Sequence, residues 1–213
     1  MFHPLKHYTA IDALLHWFSF KRPLSIAQKQ CAAHLSKYED LATYSKLYDQ
    51  HFSRQKINTK VDLAYAKHIQ FGETIGHIKR NMPQRKLQII NSTSGIKTKI
   101  LAYSIHLGKH PAKIEMHFYK NKLFFYQFRF PQATPGEKTE ITRSLIQHYE
   151  LPNIDLATHA IYDKNRNCVK VEDHLAFTIS YTQMANPIFI QIEALKQKDY
   201  HQMMSFVNER NIS

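Results

Sequence analysis

The side chains with the clearest chemical potential lie in one stretch of alternating polar and apolar residues. His106, Glu115 and His117 fall on one side of the predicted strands, where imidazole and carboxylate groups could bind a metal ion or exchange a proton. The predicted strand pairing places Lys113 opposite His106, and a cation beside these groups opposes metal binding. We therefore predict solvated histidines on a strand, with no metal site and no cofactor.

Nucleophile and phosphate-binding motifs are absent from the sequence. It contains no Gly-x-Ser-x-Gly, no phosphate-cradling glycine loop and no His-Glu-x-x-His. Cys31 and Cys168 lack the Cys-x-x-Cys spacing of structural zinc sites, and we expect both to be buried, reduced thiols. These observations favour a protein that is not an enzyme, and an enzyme is the third alternative.

The strands that would position these residues are indicated by apolar side chains at every second position in 101–107, 114–119 and 124–130. A four-residue loop at 108–111 and a three-residue loop at 120–122 keep apolar side chains opposite one another, for example Phe118 opposite Phe124. A two-residue loop at the second turn would instead place phenylalanines beside Glu115. The longer loops therefore predict one consistently apolar face.

The other side of these strands, which we call the polar face, carries polar, basic and aromatic side chains. It comprises Ala102, Ser104, His106, Lys113, Glu115, His117, Tyr119, Leu123, Phe125, Gln127 and Arg129. Flat rings among cations suit a protein interface or single-stranded nucleic acid. The alternative is structural, because a helix from the N-terminal region could cover Leu123 and Phe125.

The candidate binding residues are basic and aromatic members of this face together with two lysines of the second turn. They are His106, Lys113, His117, Tyr119, Phe125, Arg129, Lys120 and Lys122. Positive charge is concentrated in the same part of the chain: residues 74–136 hold 11 Lys and Arg and one acid, out of a total net charge of +12. Such a block is typical of a surface for a polyanion or an acidic partner, and a merely solvated face is the alternative.

Helices are predicted on both sides of these strands. Thr9 and Asp12 form a capping box that opens the first helix. A second apolar stripe between Leu24 and Phe52 predicts one long helix, or two that break near Glu39. Further helices are predicted at 61–71, 137–149 and 199–210, and further strands at 158–163, 168–172 and 175–182.

Two parts of the chain show the same order of elements. Gly72 opens a short helix that ends at Pro83, and strands follow. Gly136 opens a longer helix that ends at Pro152, and strands follow again. The predicted fold is therefore α+β, with an N-terminal helical region followed by antiparallel β-hairpins in two related helix-plus-sheet units. The predicted segments are a helical region at 1–70, a basic helix-plus-hairpin unit at 71–135, and a second such unit with a C-terminal helix at 136–213.

This pattern of a Gly-x-Thr start, a short amphipathic helix, an x-Pro exit and an antiparallel meander resembles modules of the beta-lactamase-inhibitor-protein type. Small outer-membrane assembly lipoproteins share the pattern. The resemblance covers residues 71–182. It implies a non-enzymatic module that binds other proteins through its sheet or loops.

The expected partner is a protein with an acidic surface, in an inhibitor-like or immunity-like role. Nucleic-acid binding through residues 74–136 is the alternative. His3, His7 and His16 interrupt the N-terminal apolar run and no window approaches 18 consecutive apolar residues, so we expect a cytoplasmic protein without a membrane span. The sequence leaves the oligomeric state open.

Overall fold

The computed structural model describes Tyr38 and residues 41–64, 69–82, 87–93 and 96–210. Its helices are α1 (Leu41–Phe52), α2 (Ile75–Asn81), α3 (Pro135–His148) and α4 (Pro187–Arg210). Its strands are β1 (Gln55–Asn58), β2 (Leu87–Thr93), β3 (Ile96–Leu107), β4 (His110–Tyr119), β5 (Lys122–Phe130), β6 (His159–Tyr162), β7 (Asn167–Asp173) and β8 (Phe177–Gln183). The α+β class is confirmed. Two predictions fall outside the described residues: the helix that follows Thr9, and the buried thiol of Cys31.

All eight strands belong to one sheet, in the order β1-β6-β7-β8-β5-β4-β3-β2. β1 pairs with β6 in parallel, and the other neighbours are antiparallel. β5 belongs to the first predicted helix-plus-hairpin unit and β8 to the second. These two strands pair directly, and apolar side chains from both units lie in one core cluster. The division of the chain at residue 135 stays a prediction.

The turn between β3 and β4 is shorter than predicted. Leu107 pairs with His110, so the loop consists of Gly108 and Lys109. Gly108 has a φ of 58°, which fits a type II′ turn because glycine adopts positive φ without a steric penalty. The four-residue loop was therefore wrong, but the register moved by an even number of residues and left every side chain on its predicted face.

The turn between β4 and β5 is also a two-residue turn, formed by Lys120 and Asn121 with φ of 47° and 62°. Both positive values are those of a type I′ hairpin. A β-bulge near Phe118 then adds one residue to β5, so Leu123 lies in the apolar-face core and Phe124 lies on the polar face beside Phe125. The three-residue loop, the polar-face position of Leu123 and the pairing of Phe118 with Phe124 were therefore wrong.

Two helix predictions also need correction. None of the described residues in 61–71 is helical, and Ile69 lies in an isolated bridge instead. The C-terminal helix begins at Pro187, twelve residues before the predicted start at 199. Asn186 caps it, because its side-chain oxygen accepts a hydrogen bond from the Ile188 backbone nitrogen at 3.1 Å and proline is favoured in the first turn.

Helices cover both sides of the sheet. On the apolar face, Ile78 of α2 is buried in the core and Leu145 of α3 packs against it. On the polar face, α1 and α4 pack against each other, with the rings of Tyr48 and Phe189 stacked at 4.8 Å. Among the described helices, none has the length and apolar composition needed to cross a membrane.

The two predicted units differ where their helices begin. Thr74 caps α2 and Thr134 caps α3. Gly72 precedes its cap with a φ of 82°, whereas Gly136 lies inside α3. The two glycines that the sequence comparison aligns therefore have different structural roles, and the duplication stays a prediction.

Candidate binding surface

Helix α1 crosses the polar face and buries its centre. Tyr44 and His51 lie seven residues apart, two helical turns, and both point to the sheet. The Tyr44 hydroxyl lies 2.8 Å from Nδ1 of His117, and Nε2 of His51 lies 3.0 Å from Oγ1 of Thr182. These bonds between side chains distant in sequence fix the helix on the sheet, and His117 is completely buried beneath it.

Helix α4 covers the end of this face that adjoins the β4–β5 turn. Ile188 and Phe189 pack with Phe124 and Phe125, and the Tyr119 hydroxyl donates to Oε1 of Gln191 at 2.5 Å. Phe125 is 1 % exposed and Tyr119 is 6 % exposed. With His117, three of the eight candidate residues thus lie in the interior. Helices therefore cover this part of the polar face, which was the structural alternative in the sequence analysis. This arrangement corrects the expectation of an open aromatic surface.

The covered part of the face contains a layer of buried polar groups. Gln127 donates from Nε2 to Oε2 of Glu115 at 2.6 Å and to the Tyr38 hydroxyl at 2.9 Å. Burial, and then the charge of Glu115, raise the pKa of Tyr38 well above its ordinary value. Glu115 is the acid of the basic segment, and its burial removes it from the surface.

A cysteine and a histidine 117 residues apart meet in this layer. Sγ of Cys168 lies 3.0 Å from Nδ1 of His51, whose other ring nitrogen contacts Thr182. This resembles the arrangement of a nucleophilic Cys–His pair. Burial, however, raises the pKa of Cys168 to about 12 and, with Lys170 and Arg54 nearby, lowers the pKa of His51 to about 3. Both groups are therefore neutral and enclosed. Cys168 has the free, buried thiol that was predicted.

A lysine is buried beside this pair. Nζ of Lys170 donates to Oε1 of Gln50 at 2.7 Å and to Oε1 of Glu172 at 2.9 Å. Arg54 approaches the same carboxylate at 3.9 Å. Burial lowers the pKa of Lys170, and the ion pair with Glu172 opposes that change. Glu172 is therefore engaged by two cations and offers little negative charge to the surface.

The other end of the polar face is open. Backbone pairing aligns Ser104, Lys113, Arg129 and Thr178 in one row across four adjacent strands. The row continues on β7 with Glu172, whose carboxylate is engaged by Lys170 and Arg54. We call the first four residues together with His106 the basic strip. Lys113 and His106 are exposed and Arg129 is half-exposed. Over the part of the chain that the structure describes, neither Lys113 nor Arg129 forms an ion pair with an acid.

A second basic group surrounds the β4–β5 turn, which we call the turn lysines. It consists of Lys97, Lys99, Lys120 and Lys122, all of them exposed. Lys120, the residue that follows β4, is seven residues from Lys113, a separation of about 23 Å at roughly 3.3 Å per residue. The covered centre of the polar face lies between them, so the two basic groups are separate.

The sequence-predicted site residues therefore fall into three sets. His106, Lys113 and Arg129 come together in the basic strip, Lys120 and Lys122 belong to the turn lysines, and His117, Tyr119 and Phe125 are buried. The sequence analysis missed the His51–Cys168 contact, because no short motif connects residues from a helix and a strand so far apart. No cluster of three or more His, Cys, Asp or Glu suited to a metal ion occurs within the described ranges.

Comparison with models of protein families, with curated protein sequences and with solved structures gave no match to this chain. The resemblance to inhibitor-type modules therefore stays a prediction, and functional inference rests on the geometry above.

Proposed function

We propose that this protein is a non-catalytic binding protein that recognises an acidic surface on a partner protein through the basic strip. One observation carries the proposal: in the described part of 74–136, every exposed charged side chain is basic, while the lone acid, Glu115, is buried and hydrogen-bonded. Lys109 of this segment pairs with Glu140, whereas Lys113 and Arg129 form no ion pair with an acid among the described residues. Such cations attract and orient a partner of the opposite sign.

The pairing of Lys113 with Arg129 adds a local reason. The two residues are directly opposite each other on adjacent strands, where Cβ atoms lie about 4.5–5.5 Å apart. Like charges at this spacing destabilise a sheet. A carboxylate bound between them removes that repulsion, and Ser104 and Thr178 in the same row offer hydroxyl groups beside it.

A protein partner is favoured over nucleic acid for two reasons. Single-stranded nucleic acid is held by rings that stack on its bases, and Phe125 and Tyr119 are buried beneath α1 and α4. Its backbone also needs a continuous cationic track, whereas the basic strip and the turn lysines are separated by the covered centre of the face.

Catalysis receives no support from the described residues. The nucleophile-like pair of Cys168 and His51 is neutral and inaccessible to a substrate. The thiolate, which is the reactive form of cysteine, is therefore not formed at neutral pH.

The experiment uses fluorescein-labelled poly-L-glutamate as an acidic model ligand and measures anisotropy at several salt concentrations. We expect binding that the double variant Lys113→Glu with Arg129→Glu weakens at least about tenfold, which corresponds to the loss of about 1.4 kcal/mol. The matched control is Lys46→Glu with Lys198→Glu, which makes the same charge change at exposed sites on α1 and α4. It should retain most of the affinity.

Two outcomes would contradict the proposal. Equal weakening in both double variants would show that net charge alone drives the interaction. Tighter binding of labelled single-stranded DNA, with affinity falling steeply as salt rises, would favour nucleic acid as the partner.

A further inference from the structure

A cavity of about 590 Å³ lies on the apolar face, between α3 and the sheet. Phe128, Phe130, Ile179 and Tyr181 form its floor, and Leu145 of α3 forms part of its wall. Sites for small molecules typically measure 300–1,000 Å³ and are mostly apolar, so the size and lining of this cavity are those of a ligand site.

Helix α3 spans the cavity without closing it. None of the 14 residues of this helix is buried, and Ile141 and Leu145, which face the cavity, are only half-buried. Both side chains also pack against the apolar core, so α3 lies on the sheet and bounds the cavity on one side.

Contacts at both ends fix the position of α3 on the sheet. At its start, Glu137 lies 3.3 Å from Nδ1 of His110, and Nζ of Lys138 lies 2.8 Å from Asp173. Just beyond its end, the buried Tyr149 hydroxyl donates to the Tyr181 hydroxyl at 3.1 Å. The cavity thus lies between a helix and a sheet that several contacts hold together, and it does not depend on the conformation of one side chain.

An ion pair lies at the mouth of the cavity. Nζ of Lys109 lies 2.9 Å from Glu140, and His110 lies between Glu137 and Glu140. Hydrogen bonds from Thr134 lower the pKa of Glu137, and the Lys109 contact lowers that of Glu140, so both carboxylates are ionised at neutral pH. Because Lys109 and Glu140, which line the mouth, pair with each other, neither offers an unpaired charge to an acid or an amine.

We propose that this cavity binds an uncharged, largely apolar small molecule that contains a ring and has one hydrogen-bonding group at the mouth. Aromatic side chains on the floor favour a ring, since offset and edge-to-face arrangements add to the burial of apolar area. A charged ligand would lose hydration against the apolar part of the lining, and Lys109 and Glu140 already pair with each other. The site lies on the opposite side of the sheet from the basic strip and is independent of it.

The test titrates the full chain with N-phenyl-1-naphthylamine, an uncharged aromatic dye whose fluorescence rises in apolar surroundings. The variant Ser144→Trp places an indole at the mouth, because Ser144 lines the cavity and is exposed. The matched control is Arg143→Trp, the neighbouring exposed residue of α3, which does not line the cavity. We expect saturable binding to the wild type and to Arg143→Trp, and at least about tenfold weaker binding to Ser144→Trp.

Circular dichroism checks that each variant is folded, and Ile141→Trp replaces Ser144→Trp if the latter is not. No saturable binding to the wild type, as for a cavity filled by another part of the chain, would overturn the proposal. Equal binding by both variants of α3 would overturn it as well.

Competition tests the proposed ligand class. We expect 1-naphthol to displace the dye at a concentration at least about tenfold lower than 1-naphthoate or 1-naphthylmethylammonium, because burial of a charge costs free energy. Displacement by either charged compound at the same concentration as naphthol, or lower, would contradict an uncharged ligand.

Discussion

The buried His51 should make the stability of this protein depend on pH in a direction that the structure fixes. Burial lowers its pKa from the ordinary 6.5 to about 3, and the nearby Lys170 and Arg54 act in the same direction. In the unfolded chain the imidazole binds a proton below pH 6.5, whereas in the folded protein it remains neutral down to about pH 3. The unfolded state therefore binds more protons throughout this window, so the free energy of unfolding falls as the pH is lowered.

The size of the effect follows from the two pKa values. Each unit of separation corresponds to about 1.4 kcal/mol. Between pH 7 and pH 5, His51 should reduce the free energy of unfolding by about 2 kcal/mol, and above pH 7 it should contribute almost no pH dependence.

The assay compares urea unfolding of the wild type and of His51→Gln at pH 7, 6 and 5. At pH 7 the variant should be less stable by roughly 1–3 kcal/mol, because Cys168 and Thr182 lose their hydrogen-bond partner. The difference should then shrink by about 2 kcal/mol at pH 5, since glutamine does not titrate. His174→Gln, in an exposed turn, is the control and should follow the wild-type curve. Parallel curves for the wild type and His51→Gln would refute the reasoning.

Three further predictions concern single residues. In a Cys31→Ser background, Cys168 should react with Ellman's reagent only after denaturation, because burial raises its pKa to about 12; rapid reaction of the native protein would show that the thiol is accessible. Lys120→Gly should raise the urea midpoint, with a gain of roughly 0.5–1 kcal/mol, because φ is 47° at this position, and Lys120→Val should lower it. Thr134→Ala should cost about 1 kcal/mol by removing the capping box of α3, whereas Thr134→Ser should retain most of that stability in the same assay.

The positions of the hairpins could be predicted from the sequence, but their turns could not. Alternation of apolar residues specifies which face a side chain occupies, and it is insensitive to a shift of two residues, the size of the difference at Gly108. At the next turn, a two-residue loop followed by a bulge at Phe118 keeps Tyr126 and Phe128 on the same face as the predicted three-residue loop. The two solutions differ only at Leu123 and Phe124, which exchange faces, and the sequence pattern does not distinguish them.

The candidate site was predicted in part for a related reason. A strand with polar and aromatic residues on one side looks the same whether that side is open or covered by a helix. This side of the sheet is covered because Tyr44 and His51 of α1 contact His117 and Thr182. Those contacts depend on where α1 crosses the sheet. The cavity beneath α3 depends likewise on how far a helix stands from the sheet, which residue spacing does not encode.

The central claim, that an acidic partner binds at the basic strip, is tested most directly by mapping the contact surface. ¹⁵N-labelled protein is titrated with poly-L-glutamate, and amide chemical-shift changes are followed by NMR. The account predicts the largest changes at Ser104, Lys113, Arg129 and Thr178, four residues that adjacent strands bring together in one row. Changes confined to the turn lysines, or no change at the basic strip at saturation, would contradict it.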